Sequence, residues 1–114
     1  MIRIYHNPGC SKSRAALGLL EQHGEPFEVV RYLDNPLDGE QIQALLDLLE
    51  IDARSLLRNG EDAYKALRLD DPELGDDALV EAMVAHPALI KRPIVTVDGR
   101  AVIGRPPEAV LALL

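Results

Sequence analysis

Ile2 and Ile4 alternate with Arg3 and Tyr5, a period of two that predicts a short strand, and the loop residues Asn7-Pro8-Gly9 end it. From Ser11 onward Ala15, Ala16, Leu19 and Leu20 recur at helical spacing, and Gly24 before Pro26 supplies the stop. A helix is therefore expected from about Ser11, with Cys10 at or next to its N-terminus. The run PFEVVRYL, residues 26–33, is rich in β-branched and aromatic side chains and predicts a second strand. Strand, helix and strand within the first 33 residues make a βαβ unit with parallel strands and a right-handed crossover.

Asp38 with Gln41 three residues on has the form of a capping box before Ile42, Leu45, Leu46 and Leu49, which predicts helix over 38–50. SLLRNGEDAYKAL, residues 55–67, reads as a short helix, a turn at Asn59-Gly60 and another short helix. Gly75 or Asp76 caps a further helix through Leu79, Val80, Met83 and Val84 that must end before Pro87. PIVTVDGRAVIG, residues 93–104, places two β-rich runs around Asp98-Gly99, a strong hairpin signal. Pro106-Pro107 before Glu108, Val110, Leu111 and Leu114 starts a last helix. The order βαβ, helical block, ββα predicts an α/β fold of thioredoxin-like architecture with a mixed sheet. One domain is expected over residues 1–114, with a helical insertion at about 37–90.

Composition agrees with one core: 114 residues, 47% of them hydrophobic. Nineteen acidic side chains against 12 basic ones remove the electrostatic footprint that most nucleic-acid binding needs, so no nucleic-acid partner is expected. The start shows no leader pattern, and no apolar run approaches the roughly 20 residues that span a bilayer. A soluble, cytoplasmic, monomeric protein without a membrane partner is the expectation. A single cysteine forms neither an internal disulfide nor a four-thiolate metal site, so any disulfide must involve another molecule.

That cysteine, Cys10, keeps company with Asn7, Pro8, Gly9, Ser11 and Lys12 rather than with core-forming residues. At a helix N-terminus a thiolate faces unpaired backbone N–H groups and the positive end of the macrodipole. Lowering a cysteine pKa by two units from about 8.5 takes roughly 2.7 kcal/mol of preferential stabilisation, more than the dipole usually gives, so cations are needed nearby. His6, Lys12 and Arg14 are close in sequence, although helical geometry is expected to carry Arg14 one turn along rather than back toward the sulfur. Ser13 stands where a CxxC motif has its second cysteine, which points to a monothiol redox centre. A half-buried loop cysteine is the plain alternative.

Three arginines add to the pattern: Arg58 in LLRNG, Arg92 in KRPIV and Arg105 in GRPPE. Arg92 precedes Pro93 at the start of a strand, where thioredoxin-like folds place a proline loop facing the active cysteine, commonly with a cis peptide. Arg105 ends the adjacent hairpin, so the same sheet edge is expected for both. A guanidinium presents a rigid donor fork suited to oxyanions. For one arginine a surface ion pair with the abundant Asp and Glu is the simpler reading; three of them together with Cys10 weigh against it.

With these residues in view the sequence resembles the arsenate reductase family of the ArsC type that couples to glutathione and glutaredoxin. YHNPGCSKSR, LLRNGEDAYKAL, AHPALIKRPIV and GRPPEAVLALL follow that family's blocks in order, so the resemblance covers nearly the whole chain. It implies that Cys10 is the nucleophile, that Arg58, Arg92 and Arg105 bind the oxyanion, and that His6 helps keep the cysteine ionised. Ser11, Lys12 and Ser13 would lie in the anion-binding loop, with Pro93 a structural residue beside it. It further implies arsenate as substrate, glutathione as co-substrate, glutaredoxin as partner, and no bound metal or cofactor. His6 could equally cap the loop or pack beneath it, and His23 and His86 read as structural.

Two other readings use the same fold. A glutaredoxin-like reductase acting on mixed disulfides needs a thiolate and a glutathione site but not three arginines. An Spx-like redox-sensing, partner-binding protein carries a CxxC switch, which Ser13 argues against.

Overall fold

A computed structural model describes all 114 residues. Strand β1, Ile2–Tyr5, is one of the two inner strands of the sheet, and the burial of Ile2 and Ile4 against the partial exposure of Arg3 and Tyr5 follows the sequence alternation. It pairs in parallel with β2, Phe27–Val30, and antiparallel with β3, Ile94–Val97, which pairs in turn with β4, Arg100–Ile103. The order β2-β1-β3-β4 is the mixed, thioredoxin-like sheet that the element order predicts. The hairpin turns at Asp98, φ 45°, and Gly99, φ 82°, the two left-handed positions for which an Asp-Gly pair is suited.

Helix α1, Ser11–His23, crosses from β1 to β2 and stops at Gly24, whose φ of 86° a residue without Cβ adopts freely. Its buried stripe is Ser13, Ala16 and Leu20, while Ala15, expected on the core face, is exposed. The reason is the 3.6-residue period: three and four residues separate the buried positions, and Ala15 lies off that line. Ala16 and Leu20 pack with Ile2, Ile4, Val95 and Val110 into one core. Covering a side chain the size of Ile4 completely stabilises the fold by about 1.5–3 kcal/mol.

The second strand is shorter than 26–33, because β2 is an edge strand with Val29 41% exposed, and only Phe27–Val30 find a partner in β1. The closing segment, Pro107–Leu113, is 3₁₀ rather than the α-helix expected. It closes with i→i+3 bonds flanking it, Ala109 N–H to Pro106 O and Leu114 N–H to Leu111 O; Val110 is its fully buried residue, and Leu113 with Leu114 packs partly covered against the same core.

The chain divides into two compact units, Met1–Asn35 with Arg92–Leu114, and Pro36–Lys91. The second is helical. Helix α2, Gly39–Leu49, begins with a complete capping box between Asp38 and Gln41. Helices α3, Ala53–Leu56, and α4, Asp62–Ala66, flank the Asn59-Gly60 turn, and α5, Asp76–Ala85, packs against α2, α3 and a 3₁₀ turn at Pro87–Leu89. Ile42, Leu45 and Leu46 of α2 and Leu79, Val80 and Met83 of α5 supply the buried faces. Arg54 ties the segment after α4 to α3, its guanidinium donating to the Leu69 carbonyl at 2.7 Å and the Asp71 carbonyl at 2.9 Å.

Candidate active site

The loop from β1 to α1 is built by short-range hydrogen bonds. His6 N–H donates to Val30 O at 2.9 Å, which continues the β1–β2 pairing one residue beyond the strand. Asn7 Oδ1 accepts from Gly9 N–H at 2.9 Å, an Asx turn, and Cys10 N–H donates to Asn7 O at 3.0 Å. Arg14 Nη1 donates to the Pro8 carbonyl at 2.8 Å. Arg14 therefore reaches back over the loop to Pro8 rather than one turn along the helix, because helical side chains lean toward the N-terminus, while the sulfur itself is served by Ser13, Lys12 and Arg92 and not by Arg14.

Ser13 is fully buried beneath this loop. Its Oγ accepts the Asn7 N–H at 3.0 Å and lies 2.6 Å from His6 Nδ1. His6 is itself buried, and burial first, then the charges of Arg31 and Arg14, push its pKa below the ordinary imidazole value. The ring is accordingly neutral, and one proton joins Nδ1 to Oγ in whichever direction the tautomer sets.

The sign of that shift gives a stability prediction. A histidine held neutral by the fold contributes stability that is fully present above the unfolded pKa of about 6.5 and is lost as the pH falls below it. The melting temperature of the native chain should drop between pH 7.5 and pH 5 by more than that of His6→Gln, as followed by circular dichroism. Equal drops would show that His6 does not drive the loss.

Cys10 is the N-cap of α1, half-buried, with extended backbone at φ −101° and ψ 123°. Burial pushes its thiol up, but the Ser13 amide, a hydrogen bond from the Arg92 guanidinium, the Lys12 amide and the Arg92 charge together outweigh burial and leave the pKa below its ordinary value. The sulfur closes no cap hydrogen bond of normal geometry, so the Ser13 and Lys12 contribution is that of amide dipoles aimed at it. The side chains of Ser11 and Lys12 are exposed.

Arg105 Nη1 donates to the Arg92 carbonyl at 3.2 Å, which brings these two arginines together at the end of the hairpin. The peptides Arg92–Pro93 and Arg105–Pro106 are both cis. Pro93 is buried, and its carbonyl accepts Gly104 N–H at 2.8 Å. A Cβ added at Gly104 would stand 2.8 Å from Pro93 Cγ and 3.2 Å from Val110 Cγ1. Gly104→Ala should therefore destabilise the chain by about 1–3 kcal/mol through overpacking behind the proline. Denaturant unfolding that moves by less than a few tenths of that would mean the loop adjusts freely.

Arg58 belongs to the helical unit. Its N–H donates to Leu89 O at 2.7 Å beside an isolated bridge between Leu57 and Ile90, and its guanidinium meets Glu61 Oε1 at 2.5 Å. Sequence reading did not single out Glu61, Asn7 or Arg31. The i,i+3 spacing of Arg58 and Glu61 was the available signal for the first, and Asn-Pro-Gly for the second.

A model of the ArsC family matches residues 5–113. The chain belongs to the ArsC family. An arsenate reductase of Neisseria meningitidis serogroup A is 50% identical over 114 residues, which cover 99% of this chain and 97% of that one. A protein of Escherichia coli K12 that bears the name uncharacterized protein YfgD is likewise 50% identical, with 99% and 96% covered. The solved structure of an arsenate reductase from Vibrio cholerae matches with a TM-score of 0.96 at 47% identity over 99% of this chain and 97% of that one. In this ArsC-family chain no three His, Cys, Asp or Glu side chains cluster so as to hold a metal ion, and no helix is long and apolar enough to cross a membrane.

Proposed function

We propose that the chain is an oxidoreductase that reduces arsenate to arsenite, with Cys10 as the nucleophile. One observation carries this reading: the only cysteine has a lowered pKa and takes a hydrogen bond from Arg92, so a nucleophile and an oxyanion-binding cation share one place. The family membership and the names of close relatives support the choice of arsenate over other oxyanions. Arg92 and Arg105 hold the oxyanion, the amides after Cys10 add positive potential, and His6 acts through Ser13 rather than by its own charge.

The Cys10 thiolate attacks arsenic, and one arsenate oxygen leaves as water with two protons taken up. Glutathione then adds to arsenic in the same way, displacing a second oxygen as water. The glutaredoxin thiolate attacks the glutathione sulfur, and the arsenic–sulfur electron pair falls back on arsenic, which passes from As(V) to As(III). Water releases arsenite and regenerates the thiol. In sum, arsenate and two external thiols become arsenite, a mixed disulfide and water. The external thiol takes the place of a second cysteine, and the chain acts as a cytoplasmic monomer.

The test is arsenate-dependent NADPH oxidation in the presence of glutathione, glutathione reductase and glutaredoxin, omitting glutathione and glutaredoxin in turn. Turnover that needs arsenate and both thiol components is expected. A higher rate with a glutathione mixed disulfide than with arsenate would replace this reading by a glutaredoxin-like one.

A further inference from the structure

The turn after α4 seats an arginine where glycine is the common choice. Leu69 N–H donates to Tyr64 O at 3.0 Å and Arg68 N–H to Lys65 O at 3.2 Å, the paired bonds of a helix end that takes a left-handed residue. Arg68 fills that place at φ 53°. A residue with a Cβ is strained there, and strain of this kind gathers at ligand clamps and active sites. The turn is also held firmly. Leu69 is buried, and the Arg54 guanidinium donates to the carbonyls of Leu69 and Asp71, so the backbone around Asp70 is fixed while its side chain stays exposed.

Beside this turn lies a cleft of about 550 Å³ lined by Asn59, Tyr64, Lys65, Arg68 and Asp70, all within Pro36–Lys91. That volume is in the range of small-molecule sites, about 300–1,000 Å³. In a chain of net charge −7 the cleft carries two cations and one carboxylate. None of the three enters a salt bridge, so their charges stay available to a ligand. A ligand with two carboxylates and one ammonium matches that set. Arg68 offers a planar fork to one carboxylate, Lys65 a point charge to the other, and Asp70 an acceptor to the ammonium. Asn59 and Tyr64 add uncharged hydrogen-bonding groups. A plain dianion meets Asp70 as a like charge, whereas a zwitterion makes it a partner.

We infer that this cleft binds a small zwitterion with two carboxylates and one ammonium, either an acidic amino acid or a short peptide that carries one at its amino end. The cleft lies wholly in the helical unit, so the inference stands apart from the reaction proposed for Cys10. Isothermal titration of the full chain at neutral pH tests it with L-glutamate, with S-methylglutathione, whose blocked thiol cannot react, and with succinate, which lacks the ammonium. Native chain, Arg68→Gly and Asp70→Asn are compared, with thermal melting as the check of folding. At least one zwitterion should bind, and more tightly than succinate. Arg68→Gly should melt higher, because glycine adopts the left-handed conformation freely, yet lose about tenfold or more in affinity, the scale of one charge-assisted hydrogen bond. Asp70→Asn should weaken the zwitterion by a similar factor and leave succinate as it was or tighter. Binding of S-methylglutathione alone makes the ligand a peptide, and binding of L-glutamate alone makes it a free amino acid. Neither zwitterion bound by the native chain, succinate bound as tightly as the zwitterion, or unchanged affinity in Arg68→Gly would each overturn the assignment.

Discussion

Cys10→Ser is expected to abolish arsenate reduction, by at least about a thousandfold, while the chain stays folded. The fold has little stake in the thiol: Cys10 sits at a loop-to-helix junction, half-buried, and its sulfur closes no cap bond. A serine hydroxyl suits an N-cap at least as well, so the melting temperature should hold or rise slightly. The chemistry has every stake in it. The Ser13 and Lys12 amides and Arg92 stabilise an anion, and the thiol is the group that is ionised in part near neutral pH; a hydroxyl in the same place remains protonated and attacks arsenic poorly. Arsenate-dependent NADPH oxidation in the coupled glutathione system measures the loss. Residual turnover within tenfold of wild type would remove Cys10 as nucleophile and return it to the status of a loop residue.

The parts of this fold that sequence exposes are those that depend on neighbours in the chain. Asp38 and Gln41 bond reciprocally at 2.8 and 2.9 Å across three residues, so the spacing alone predicts the helix start. Asp98-Gly99 reaches its two positive φ values for the same local reason. Alternation of Ile2 and Ile4 marks a strand wherever its partners come from. The misreadings arise where tertiary packing decides. Pro107–Leu113 has helical apolar spacing, but Val110 and Leu113, three residues apart, are the positions that meet the core, and a 3₁₀ winding with three residues per turn brings both to it. Edge position, which no local pattern shows, shortens β2.

The candidate site divides along the same line. Cys10 at a helix start, and Arg92 with Arg105 at the same sheet edge, follow from element order. The work of Ser13 does not. Its position suggested an absent second cysteine or an anion-loop hydroxyl, yet it is buried under the loop, joining His6 to Asn7. A serine on the buried face of a helix looks like a flaw in the hydrophobic pattern until its hydrogen-bond partners are known. His6 likewise reads as a candidate cation, whereas burial and the nearby charges of Arg31 and Arg14 hold it neutral. The Arg58–Glu61 pair shows the limit from the other side: its spacing is visible in sequence, but spacing cannot tell a covered pair from an ordinary surface one.

Arg92→Ala is expected to produce two losses that Arg105→Ala separates. Arg92 lowers the Cys10 pKa by a hydrogen bond and by its charge, so removing it leaves the Ser13 and Lys12 amides alone against burial and the pKa rises. The rate of Cys10 alkylation by iodoacetamide, followed against pH, should shift its inflection to higher pH, and the rate at neutral pH should fall with the thiolate fraction. Oxyanion affinity should weaken as well, by about 1.5–3 kcal/mol, or about ten- to 150-fold, the range for a hydrogen bond to a charged group. Arg105 is exposed and touches the Arg92 carbonyl, not the sulfur. Arg105→Ala should therefore weaken oxyanion binding while leaving the alkylation profile nearly in place. Arg92→Lys keeps the charge but not the planar fork, so it should recover more of the alkylation profile than of the oxyanion affinity. An unshifted alkylation profile in Arg92→Ala would mean that the helix N-terminus alone holds the thiolate, and the part assigned to Arg92 would then be confined to the oxyanion.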